Sequence, residues 1–156
     1  MNELCELLQK YGPFIARILF AQLFIISGLG MTGNLAGTAA FMEGAGLPLA
    51  KALLMLAIAL QVGGGILLVL GWQARWVATA LCMFTFLTAM IFHPFWSSDP
   101  ASVFGQLNNF MKNLAIMGGM LYVMVHGAGP LSLDRVRETA AANGKAGPAA
   151  TKKRRI

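Results

Sequence analysis

The chain has 156 residues, of which 57% are hydrophobic and 12% charged, with a net charge of +6. Charged residues make up about a quarter of an ordinary soluble domain, so this composition does not furnish a soluble surface. The basic residues form no face interleaved with aromatics, which excludes nucleic acid as a partner.

Residues 1–13 read as a short amphipathic lead-in, with Leu4, Leu7 and Leu8 set between Glu3, Glu6 and Lys10. Four apolar stretches follow, at about residues 14–31, 50–70, 76–92 and 110–125. A helix needs about 20 residues to cross the hydrocarbon core. The stretches lack the polar faces that buried helices of a soluble bundle would show at a 3.6-residue period. They predict an all-α integral membrane four-helix bundle, one domain over residues 1–137, with the lipid bilayer as its first partner. Acidic residues ahead of the first stretch, and no small-x-small site after Gly30, mark it as an uncleaved helix and not a signal peptide. The Gly44–Pro48 turn precedes the second helix, and the short Gly71–Arg75 connection ties the second and third into a hairpin. Gly127, Gly129 and Pro130 end the fourth. Beyond Arg137 the composition drifts to Ala, Gly and Lys, so residues 138–156 are expected to form a disordered tail closing on Lys152, Lys153, Arg154 and Arg155.

Basic residues near the helix ends set the expected orientation. One side carries Lys10, Arg17, Arg75, Arg135 and Arg137, and the other only Lys51 and Lys112. The positive-inside rule then puts both termini in the cytoplasm. Tyr11, Trp72 and Trp76 fall at the inner interface, and Phe95 and Trp96 at the outer, where amphipathic rings prefer to sit.

Polar groups at membrane depth are costly and usually face the bundle interior, which makes them the functional candidates. Ser27, His93, Asn109, Lys112 and Asn113 fall toward the outer side, and Gln61 near the middle of the second helix. Together they form a candidate outer pocket for an anionic or quinone-like head group. The alternative is that they cap helix ends and bond across helices. Gly63, Gly64 and Gly65 permit close helix approach and have none of the Lys and Ser/Thr context of a phosphate loop. Arg17 needs a partner, for which Asp134 is the first candidate and Arg75 the competitor.

No cofactor is assigned from these residues. Cys5 and Cys82 form no Cys-x-x-Cys pair, and no carboxylate pair or metal-ligand set is assigned. His93 and His126 lie toward opposite ends of their helices, about 20–25 Å apart at 1.5 Å per residue, which excludes bis-histidine haem within one chain.

The chain resembles the DoxX family of small four-helix bacterial membrane proteins over about residues 12–135. The matching stretches are Ala16-Arg17-Ile18-Leu19 leading to Ser27-Gly28, Gly46-Leu47-Pro48, Gly63-Gly64, and Leu70-Gly71 with Arg75. His93, Asn109-Phe110-x-Lys112-Asn113 and Gly127-x-Gly129-Pro130-x-Ser132-Leu133-Asp134 continue the pattern. Two positions depart from it: Met31 stands where relatives commonly carry Lys or another polar residue, and Gln61 where they often carry Glu. The resemblance implies a bacterial inner-membrane protein linked to redox or oxidative-stress complexes, some relatives being similar to a subunit of thiosulfate:quinone oxidoreductase. It implies an accessory subunit, partnered by redox enzymes and binding a quinone, rather than a catalyst acting alone. A small-solute carrier, with any pathway built by a homo-oligomer, and a non-catalytic membrane scaffold or assembly factor are the other readings.

Overall fold

A computed structural model describes residues 2–145. Helix α1 spans Asn2–Thr32, α2 Leu35–Gly44, α3 Ala50–Leu70 and α4 Ala74–Phe92. A single 3₁₀ turn at Phe95–Ser97 leads to α5, Val103–His126, and α6 covers Leu133–Lys145. The second span matches its predicted bounds. The first begins earlier than expected, because the lead-in continues unbroken into the span through Pro13. At 1.5 Å per residue its 31 residues reach about 46 Å, well beyond a hydrocarbon core about 30 Å thick.

Three other expectations are corrected. The connection over residues 32–49 contains α2, whose first turn is capped by Asn34 accepting from the Gly37 amide at 2.9 Å. The fourth span starts at Val103 instead of residue 110, so Asn109, Lys112 and Asn113 lie inside the helix and not at its start. Helix α6 carries regular structure to Lys145, into the segment expected to be a disordered tail. The basic cluster Lys152–Arg155 lies outside the described residues.

Among the described residues, α1, α3 and α4 are long and apolar enough to cross a membrane by length and composition. The 24-residue α5 is the fourth long helix of the bundle. Its first half carries Gln106, Asn108, Asn109, Lys112 and Asn113, which lowers its hydropathy.

Lipid tails are as apolar as leucine, so burial alone does not drive these helices together. Close packing at small residues does. Helix α1 packs chiefly on α3, and α4 on α5. Gly65 accepts the side of α1 so closely that a Cβ there would meet Ile25 Cγ1 at 2.6 Å and the Ala21 carbonyl oxygen at 3.2 Å. A Cβ on Gly28 would meet Val62 Cγ2 at 2.9 Å. Gly64 takes Leu81 of α4 against its backbone, with Leu81 Cδ2 3.2 Å from a Cβ placed there, whereas Gly63 faces open space. Phe20 of α1 lies on Gly119 of α5 and closes the ring of helices at that level.

Two apolar clusters result. One, around Ala21, Leu68, Ala74, Ala78, Leu81 and Met120, fills the end of the bundle that carries the described termini. The other joins Ala39 and Met42 of α2 to Ala50 and Leu54 of α3 at the opposite end, where Phe41 stacks on Phe92 at 5.3 Å.

Overpacking a close helix contact costs about 1–3 kcal/mol. Gly65→Val is predicted to lower thermal stability in detergent on that scale, and Gly63→Ala to leave it within about 1 kcal/mol of native. Equal effects at the two glycines would contradict the packing described.

Candidate functional site

At the terminus-bearing end, Arg17 is 1% exposed and reaches across three segments. Its Nη1 donates to the Leu68 and Val69 carbonyls at 3.3 and 3.0 Å, and its Nη2 to the Leu131 carbonyl. Leu68 and Val69 lie in the last turn of α3, whose carbonyls lack the usual partner four residues on, and Leu68 also accepts from the Gly71 amide at 3.1 Å. Gly71, at φ +65°, both ends α3 in the left-handed conformation and leaves the room that Arg17 fills, since a Cβ there would collide with Arg17 Nη1.

The expected Arg17–Asp134 ion pair does not form. Asp134 instead accepts from the amides of Gln73 at 2.8 Å and Ala74 at 2.9 Å, capping the start of α4. Gln73 sits at φ +48°, a conformation disfavoured for a residue with a Cβ, and the carboxylate helps hold it there. Arg75 does not compete for Asp134. Its Nη1 donates to the Met124 and Val125 carbonyls at 2.9 and 2.7 Å and so ties α4 to the end of α5. Among the described residues the one ion pair is Arg135–Glu138, at 3.4 Å on the surface.

Above this closed end lies a cavity of about 640 Å³ between α1, α3, α4 and α5, roofed by α2. Its wall is mostly Leu, Phe, Met and Ile, several of them, such as Leu56 and Met83, exposed to the lipid side. Of the predicted pocket, Ser27, Gln61 and Asn113 line it. His93, Asn109 and Lys112 do not. His93 caps the end of α4 and its Nδ1 pairs with Gln106 Oε1 at 2.8 Å, while Asn109 and Lys112 are exposed on α5.

The structure adds Thr38, Thr85 and Thr88 to the lining. The Thr85 and Thr88 hydroxyls donate to the Leu81 and Thr85 carbonyls of their own helix at 2.8 and 3.0 Å. Threonine in a helix commonly bonds back this way, and spacing along α4 was the available signal for them.

Gln61 is the most enclosed polar group of the lining, 2% exposed. Its Nε2 meets Met31 Sδ at 3.6 Å, a weak acceptor, and among the described residues its amide has no other partner. Met31 and Gln61 therefore touch each other. A neutral pair stands at the junction of α1 and α3, with no charge to be buried there.

Long apolar helices, small residues at their contacts and an apolar cavity opening sideways define a multi-pass, all-α membrane protein. A family model described as DoxX matches residues 12–94, and the chain belongs to the DoxX family. It is 39% identical over 129 residues to the inner membrane protein YqjF of Escherichia coli (strain K12), covering 83% of this chain and 94% of that protein. It is 35% identical over 121 residues to the inner membrane protein YphA of the same organism, covering 78% and 86%. No solved structure matches it. Family, relatives and apolar helices make it a multi-pass protein of the bacterial inner membrane.

Hydrogen bonds to a charged acceptor contribute about 1.5–3 kcal/mol each. Asp134→Ala is predicted to destabilise the protein by about 2–4 kcal/mol, and Asp134→Asn by less, because an amide oxygen still accepts one bond. Thermal unfolding in detergent measures both. Native stability in Asp134→Ala would contradict the capping role.

Proposed function

We propose that this protein is an accessory membrane subunit that binds a lipophilic molecule with a small polar head, a quinone being the best fit. We further propose that it holds this molecule beside a redox partner, with the terminus-bearing end in the cytoplasm. The observation that carries the reading is Gln61, almost fully buried in an apolar wall with its amide left to the cavity. Ligand sites of about 300–1,000 Å³ with a few polar groups in an apolar lining are the ordinary form of a small-molecule pocket.

The residues present fit a quinone. Gln61, Asn113 and Ser27 carry donors for ring carbonyl oxygens, and the lipid-facing side around Leu56 and Met83 suits a prenyl chain. Among the described residues the lining holds no carboxylate, imidazole or amine, so the part read for it is to bind and orient a ligand. Bound quinone would supply the electron chemistry, and the partner its oxidant or reductant.

A solute path through one chain has less support. Below the cavity the bundle is filled by Leu68, Leu81 and Met120, each at 0% exposure.

The test is titration of the protein in lipid nanodiscs with a short-chain ubiquinone analogue, followed by intrinsic fluorescence. Saturable binding is expected, with affinity lowered about tenfold in Gln61→Leu through loss of a hydrogen bond of about 1 kcal/mol and an unpaired ligand oxygen. Absence of saturable binding in the native protein would overturn the quinone reading. Recovery of a stable partner with no ligand bound would favour the scaffold role.

A further inference from the structure

A second cavity, of about 730 Å³, lies at the terminus-bearing end between the start of α4, the end of α5 and α6. It shares no lining residue with the first. Three arginines line it, Arg75 from α4 and Arg135 and Arg137 from α6, with Trp76 at its rim.

Three arginines face two carboxylates in the lining, Asp134 and Glu138, so the cavity keeps an excess of positive charge. Asp134 is committed to the Gln73 and Ala74 amides. Glu138 meets only Arg135, at 3.4 Å and with both side chains well exposed, a pairing of little strength. Arg75 uses Nη1 to close the end of α5, and among the described residues its Nε and Nη2 donors have no protein acceptor. Gly127, which ends α5, lies beside these two nitrogens, a Cβ there standing 3.5 Å from each in ordinary contact.

Trp76 is 75% exposed in the first turn of α4, at the level where indole rings sit in the headgroup layer. Guanidinium groups match phosphate oxygens in fork geometry.

We propose that this cavity binds a phosphate group, and that the group belongs to an anionic phospholipid headgroup drawn from the surrounding leaflet. Arg75 supplies the fixed donor pair, Arg135 and Arg137 the surrounding charge, and Trp76 the wall along the glycerol region. Basic recesses at the ends of membrane helices are suited to such headgroups. The site is independent of the quinone cavity and stands whether or not that cavity is occupied.

The experiment is native mass spectrometry of the full chain in detergent, titrated with phosphatidylglycerol, phosphatidylcholine or glycerol phosphate. Phosphatidylglycerol is expected to bind in preference to phosphatidylcholine, with affinity falling as salt rises. The double variant Arg135→Gln/Arg137→Gln should lose about tenfold or more of that affinity, on the scale of two surface cations. Lys51→Gln/Lys112→Gln removes the same charge from residues outside the cavity and should keep the preference. Saturation by glycerol phosphate at the affinity of the lipid would uphold the phosphate site and assign it to a soluble ester. Equal binding of the two lipids, or equal losses in the two double variants, would overturn the site.

Discussion

A buried guanidinium organises the terminus-bearing end of this protein. Removing a charged group from water is expensive unless its donors are satisfied. Arg17 offsets most of that cost through Nη1 and Nη2, which reach the Leu68 and Val69 carbonyls at the end of α3 and the carbonyl of Leu131, while its buried Nε has no partner among the described residues. A helix C-terminus also carries partial negative charge, so a cation belongs there even without a carboxylate. One side chain therefore joins the first span, the second span and the segment leading to α6. Asp134 and Arg75 complete the same end from the other side, one at the start of α4 and one at the end of α5.

The rest of the architecture follows from closing one end. Gly71 and Gln73 turn the chain back so tightly that the end of α3 and the start of α4 lie side by side. Farther along, α1 stays on α3 and α4 on α5, and the two pairs separate. The ring is shut at Phe20 and Gly119, and beyond that level the space between the pairs becomes the cavity beneath α2. Small residues govern the contacts because apolar side chains gain little by leaving lipid for one another. The neutral contact of Gln61 with Met31 fits this setting: it retains a polar handle inside the bundle without burying a second charge.

Helix identity was readable where apolar runs are long and bounded by turn residues, which is why α3 matches its predicted limits. The start of α1 was missed because Glu3, Glu6 and Lys10 set residues 1–13 apart from the apolar run, although the helix tolerates the missing amide of Pro13 and continues through it. Helix α2 was hidden by its glycines and lack of a strong apolar face, with Asn34 as the one capping signal. The polar pocket was half legible. Depth grouped Ser27, Gln61, His93, Asn109, Lys112 and Asn113, but depth says nothing of rotation about a helix axis, and Lys112 points away although its neighbour Asn113 lines the cavity. The Arg17–Asp134 pairing failed for a different reason. Pairing charge with charge overlooks backbone carbonyls and amides at helix ends, which here claim both side chains.

Backbone hydrogen exchange in Arg17→Lys, read amide by amide in detergent, tests the central role of Arg17 most directly. A lysine keeps the charge but lacks the planar fork that spans separate carbonyls. The account predicts faster exchange at Asp134, whose amide bonds the Gly71 carbonyl at 2.9 Å, and at Val136, whose amide bonds the Ser132 carbonyl at 3.2 Å, with little change around Gln61. Exchange at Asp134 and Val136 identical to the native protein would contradict it.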